Sequence, residues 1–144
     1  MLFATTALMA QTKTSPYLNG GVSIQNNSLS YDGEIGIGTS KNRFAATVQS
    51  TTATPENVWS LGAKSYFRLN RGISAVDTYA TGAVSMDLTK FHTLTFEPGV
   101  AATWNITKSR FAPQASLAFP IQQNAVLRNR PLGVSGGISL NYRL

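Results

Sequence analysis

Residues 132–144 read LGVSGGISLNYRL. Leu132, Val134, Ile138, Leu140, Tyr142 and Leu144 share one parity with Gly136, while Gly133, Ser135, Gly137, Ser139, Asn141 and Arg143 hold the other. Successive side chains of a β-strand point to opposite faces, so one face of this segment is apolar and the other small or polar. Working backward, the same period of two recurs. Leu29, Tyr31, Ile35 and Ile37 oppose Ser30, Asp32, Glu34, Gly36 and Gly38. Leu94, Phe96, Val100, Ala102, Trp104 and Ile106 oppose Thr93, Thr95, Glu97, Gly99, Ala101, Thr103 and Asn105.

Weaker alternation covers 17–25, 44–49, 58–69, 75–88 and 111–119, for eight segments in all. Turn residues separate them: Asn26-Asn27, Thr39-Ser40-Lys41-Asn42, Asn70-Arg71-Gly72 and Thr107-Lys108-Ser109. Pro98 and Pro113 fall inside strand-like runs, where a residue without an N–H weakens a ladder. No helical period of useful length competes. The predicted fold class is all-β.

Composition narrows the class. The 144 residues suffice for one domain, and charged residues are only 12%, about half the usual quarter. Mean hydropathy is −0.05, so the polar share is uncharged Gly, Ser, Thr, Asn and Gln. Disordered chains carry more charge, and helical bundles need Glu, Lys, Leu and Ala in quantity. There is no cysteine, hence no disulfide framework or thiolate site. The net charge of +6 is scattered, which argues against nucleic acid as a partner. Residues 1–10 (MLFATTALMA) are apolar and end in small residues before Gln11, the pattern of a signal-peptide remnant. The barrel domain is then expected over 11–144.

Alternation alone leaves open which face is inside. A soluble lipocalin-like carrier turns its apolar face inward, and a membrane barrel turns it outward. Three features favour the second. The bore of an eight-stranded barrel just accommodates its own side chains, which suits the Gly, Ala, Ser and Thr parity better than the bulky one. Charge falls on the small, polar parity: Asp32, Glu34, Lys64, Arg68, Asp77, Asp87, Glu97 and Arg143, with Tyr66 and Tyr79 beside them. Charges enclosed in a bore must pair, so these predict a lumen charge network. Finally, Trp59 and Phe67, Phe96 and Trp104, and Phe111 and Phe119 lie eight residues apart on the apolar parity. That spacing spans about 20 Å of membrane normal at a tilt of about 40°, near the separation of two aromatic girdles.

The chain thus resembles the small eight-stranded outer-membrane β-barrel proteins of Gram-negative bacteria, the OmpA/OmpX-like group, over residues 17–144. The resemblance implies an antiparallel up-and-down transmembrane barrel in the bacterial outer membrane, with both termini at the periplasmic end. It implies lipid or lipopolysaccharide around the wall, and barrel-assembly machinery as a partner during insertion. The terminal segment Gly137-Ile138-Ser139-Leu140-Asn141-Tyr142-Arg143-Leu144 resembles the strand that machinery recognises, with Leu144 last rather than an aromatic. On this topology the turns holding Lys41, Arg43, Arg71, Lys108 and Arg110 face the periplasm. Arg128 and Arg130 lie in the longest opposite connection, 121–131, the one loop large enough to carry specificity.

Catalytic chemistry is not expected. The sole histidine, His92, has Leu94 two residues on, where some outer-membrane barrel hydrolases carry a serine. No Ser-His-Asp set can be built without it. Gly33, Gly36 and Gly38 form no phosphate loop, since no helix follows. No metal-ligand spacing exists, and no cofactor is expected. The function predicted is a structural or interaction barrel with a side-chain-filled lumen. One alternative is a small pore past the small residues Gly21, Ser23, Gly36, Gly62, Gly99, Gly133 and Gly137. The other is the soluble carrier of an apolar ligand.

Overall fold

The computed structural model describes residues 14–25, 27–39, 41–52, 58–71, 75–88, 93–124, 130–131 and 133–144. The segment read as a signal remnant, 1–10, and His92 lie outside the described residues. Ten strand segments follow in order: β1 (Ser15–Gln25), β2 (Ser28–Gly38), β3 (Asn42–Thr51), β4 (Val58–Arg68), β5 (Val76–Asp87), β6 (Thr93–Trp104), β7 (Phe111–Ala118), β8 (Ile121–Asn124), β9 (Arg130–Pro131) and β10 (Ser135–Arg143). Each of β1 to β7 pairs antiparallel with its neighbour in sequence, and β10 closes the sheet between β7 and β1. The result is a closed, eight-stranded, up-and-down antiparallel barrel. Closure leaves the main walls without free edges.

The turns follow from local chemistry. Gln25 pairs with Ser28, and between them Asn27 stands at φ 63°. Asparagine tolerates that left-handed conformation better than most residues. The Thr39 hydroxyl accepts from the amides of Lys41 and Asn42, at 3.2 and 3.1 Å. Asn70 clamps its turn from both sides: Nδ2 donates to the Val76 carbonyl at 2.9 Å, and Oδ1 accepts from the Thr78 amide at 3.0 Å.

The connection expected over 121–131 is not a simple loop. It contains β8 and β9, which pair with each other, while β8 also pairs with β6. β8 therefore continues the wall of β7, and β9 that of β10. The reason for the interruptions is proline and one glycine. The β6–β7 ladder covers Gly99↔Ala118 to Thr103↔Gln114, and β6–β8 pairing resumes in the same register at Phe96↔Ile121. In the gap between them stand Pro98 and Pro120, neither able to donate. The Phe119 amide still reaches the Pro98 carbonyl at 2.8 Å. At its other end the same ladder stops where Pro113 lacks an N–H. The β9–β10 side holds one residue more than the β7–β8 side between Ala118↔Ser135 and Ile121↔Pro131. This is a β-bulge, with Gly133 at φ 87°. The terminal strand, read from Leu132 onward in the sequence, accordingly begins at Ser135.

The parity reading sets the two faces. Ile35, Leu61, Phe96, Val100, Leu117 and Ile138 all stand exposed on the outer wall. Tyr17, Asn19, Glu34, Tyr66, Tyr79, Gln114 and Asn141 are buried inside it. Trp59, Phe96 and Leu140, which a soluble carrier would converge on the axis, are 52%, 42% and 45% exposed. The enclosed core is thus polar and aromatic, not aliphatic. The small carbon-only parity of Gly and Ala gives way to larger groups where needed: a Cβ on Gly36 would sit 2.9 Å from the Tyr17 ring, and Gly36 is the register partner of Tyr17.

Candidate functional site

The bore divides into a filled section nearer the chain termini and a small cavity nearer the opposite end. The filled section centres on Arg43. Its guanidinium carbon lies 4.2 Å from the ring centre of Tyr79, 4.8 Å from Tyr66 and 5.6 Å from Tyr17. Such geometry is cation–π contact in a desolvated setting. An Arg43 NH2 group also donates to the Thr103 hydroxyl at 3.1 Å. That hydroxyl donates to Gln114 Oε1 at 3.0 Å, which accepts as well from Asn141 Nδ2 at 3.1 Å. Tyr66 and Tyr79 meet edge to face with centroids 6.0 Å apart. Tyr66 is wholly buried.

Arg43 corrects the sequence reading. The sequence places it in a turn with Lys41, yet its parity is that of Ala45, Thr47 and Gln49, which face inward. A base one residue inside a strand end is easily mistaken for turn charge. The missed signal was parity alone. Tyr17, Asn19, Thr103, Gln114 and Asn141 were likewise not singled out, although all share the inward parity.

Two ion pairs flank this section. Lys64 Nζ lies 3.1 Å from Glu34 Oε1. The Tyr66 hydroxyl donates to the same carboxylate, 2.7 Å from both oxygens. At the terminal rim, Arg68 pairs with Asp77 at 2.6 Å. Asn105 Nδ2 donates to the other Asp77 oxygen at 2.7 Å, and Arg143 donates to Asn105 Oδ1 at 2.8 Å. The residues nominated from sequence therefore fall into separate groups. Glu34 with Lys64 forms one, and Arg68, Asp77 and Arg143 another. Asp32 and Glu97 line the cavity and make no ion pair with a described side chain. Asp87 faces inward at the rim opposite the termini, across from Ser60.

The cavity measures about 70 Å³. It is lined by the polar side chains of Asn19, Asp32, Glu34, Gln49, Lys64 and Glu97, by serines and threonines, and by apolar surface of Val22, Leu117, Ala118 and Ile138. Among the described residues no three acidic or histidine side chains converge as metal ligands.

The nominated aromatics all lie on the outer wall, between 42% and 52% exposed. Phe67, Trp104 and Phe111 stand toward the end that carries the termini, and Trp59, Phe96 and Phe119 toward the other. Phe44 joins the first group edge to face with Phe67, at 6.2 Å, and Tyr142 packs on Phe111 at 4.9 Å. Lys41, Arg71, Lys108 and Arg110 are exposed beyond that same end.

A closed eight-stranded barrel with an apolar exterior and a polar, ion-paired interior is the fold of the small outer-membrane barrels. The crystal structure of the N-terminal β-barrel domain of Pseudomonas aeruginosa OprF superimposes with a TM-score of 0.66 at 12% identity, covering 93% of this chain and 100% of that one. Neisserial surface protein A (NspA) aligns with a TM-score of 0.49 at 16% identity, over 91% and 94% of the two chains. No family profile matches the chain. No curated protein is significantly similar to it in sequence.

Proposed function

We propose that the chain is an integral barrel of the bacterial outer membrane, with a structural or interaction role and a lumen plugged by its own side chains. The supporting observation is the division of the two faces: large apolar side chains cover the outside, and the ionic groups are enclosed. In water, an apolar wall on this scale is far beyond the patches that monomeric soluble proteins expose. In hydrocarbon the same wall is matched, and the closed ladder satisfies the strand backbone within the sheet except where prolines interrupt the seam along β6. The two aromatic groups then sit at the two interfaces, and Lys41, Arg71, Lys108 and Arg110 face anionic headgroups, lipopolysaccharide phosphates included. Barrel-assembly machinery is the partner proposed for insertion, acting on the terminal strand. No catalytic step is assigned to any residue.

The plug is what separates this reading from a pore. Arg43 and three tyrosines occupy the bore, held by Thr103 and the Glu34–Lys64 pair. Refolding into detergent should give a heat-modifiable band, and planar bilayers should show no sustained ohmic conductance. Steady conductance from the wild-type chain would establish the small pore instead. A monomer stable in buffer without detergent would return the soluble carrier.

A further inference from the structure

The rim that carries the termini is built from three turns, β2–β3, β4–β5 and β6–β7, together with the end of β10. Lys41 stands in the first turn, Arg71 in the second, Lys108 and Arg110 in the third, and Arg143 ends β10. No Asp or Glu occurs in residues 39–42, 69–75 or 105–110. All of these bases are exposed, and among the described residues none has a carboxylate within ion-pair distance. Asp77, the acid described at this rim, is already engaged by Arg68 and Asn105. Arg143 is tied to a neutral amide, Asn105 Oδ1, so its charge stays uncompensated. Neighbours in the closed sheet follow chain order, so the basic sites recur at every second strand around the rim. The connections of the opposite end mix signs, with Glu56 among Lys90, Arg128 and Arg130.

A second feature sets the height of this ring. Phe44, Phe67, Trp104, Phe111 and Tyr142 form the outer-wall aromatic group just inside it. Leu69 and Ile106, between the aromatics and the bases, remain 60% and 54% exposed. Aromatic belts mark the membrane–water interface, so bases immediately beyond one stand at the level of headgroup phosphates. We propose that this rim is a binding surface for anionic phospholipid, phosphatidylglycerol or cardiolipin, in the leaflet that the terminal end meets. The inference rests on the membrane-barrel reading and deepens it by choosing among anionic headgroups. Bases that recur singly or in pairs around a circumference match mobile phosphodiesters arriving one at a time. They match a single phosphate-dense lipopolysaccharide headgroup less well. Arg71, Arg110 and Arg143 add a planar fork that takes two phosphate oxygens together.

The chain has two tryptophans, Trp104 toward this rim and Trp59 toward the other, and brominated acyl chains quench whichever they touch. Trp59→Phe leaves Trp104 as reporter, and Trp104→Phe leaves Trp59. The probe is a phosphatidylcholine vesicle holding a minor fraction of brominated phosphatidylglycerol. Trp104 should report about fivefold more brominated lipid than its bulk share, the ratio that one base near an anionic surface supports. Trp59 should report the bulk share. High salt should erase the excess, as should the variant Lys41→Gln, Arg71→Gln, Lys108→Asn, Arg110→Gln, in which Asn suits the φ of 63° at Lys108. Quenching of Trp104 at the bulk share, an equal excess at Trp59, or an excess that survives in the folded variant would overturn the proposal. If the variant does not fold, the salt series gives the answer by itself. Lipopolysaccharide that displaces the brominated lipid from Trp104 at equal phosphate content would reassign the ring to that headgroup. Failure of the membrane reading looks different: brominated phosphatidylcholine would then quench neither tryptophan.

Discussion

Lys64 sits among more negative charge than it can neutralise, and that makes the two members of its ion pair unequal. Removing Glu34 leaves Lys64 facing Asp32 and Glu97, so the ammonium keeps partners at longer range. Removing Lys64 leaves three carboxylates around one small cavity. Loss of one partner of a buried pair costs up to about 3–5 kcal/mol. Glu34→Gln should therefore cost about 2 kcal/mol and Lys64→Met about 4 kcal/mol. Urea unfolding in detergent measures both. Equal losses, or a larger loss for Glu34→Gln, would falsify the account of the cavity charge. Arg43 illustrates a different residue-scale device. Its charge is met by ring faces from three strands and one threonine hydroxyl rather than by a carboxylate, so it carries its positive charge into the bore without consuming an acid.

Among the elements, the last hairpin is the least regular. Prolines interrupt the seam between β6 and β7–β8, and the bulge at Gly133 offsets the β8–β9 register by one residue from that of β7–β10. Gly133 holds φ 87°, which an L-residue adopts only at a cost of about 1–2 kcal/mol. Gly133→Ala should destabilise the barrel by about that amount, whereas Gly136→Ala, inside β10 and without a positive φ, should cost under about 1 kcal/mol. Comparing their urea midpoints checks this, and indistinguishable midpoints would mean the bulge relaxes freely. The strand breaks also explain why 121–131 read as one long loop. Pro120, Pro131 and the polar run Gln122-Gln123-Asn124 suppress the alternation that marked the other segments, so the local signal for β8 was absent although its tertiary pairing with β6 exists.

Over the whole molecule, the proposal turns on what touches the outer wall. Ile138 is 67% exposed in the middle of β10. If that wall meets hydrocarbon, Ile138→Lys should lower the folding free energy in phospholipid vesicles by about 2–4 kcal/mol. On a water-facing surface the same change stays within about 0.5 kcal/mol. Reversible folding into vesicles distinguishes the two, and a negligible effect would place the wall in water. The aromatic groups at the two ends give the complementary expectation that the barrel has a defined height in the bilayer.

Parity sorted nearly every strand residue onto one of two faces, because a pleated strand alternates strictly; which face is inner took side-chain volume, the placement of charge and the aromatic spacing as well. The same local rule marked Asp32, Glu34, Lys64, Arg68, Asp77, Asp87, Glu97 and Arg143 as inward, along with six outward aromatics. What it could not supply was who meets whom across the bore. The contact of Arg43 with Tyr17, Tyr66 and Tyr79 joins β3 to β1, β4 and β5, and depends on the stagger of each ladder. The split of the nominated charges into two paired groups and two unpaired acids depends on the same stagger. Parity is a property of one strand and is written in its residues; neighbours across a closed barrel are fixed by the registers of all the strands together, which only the folded sheet determines.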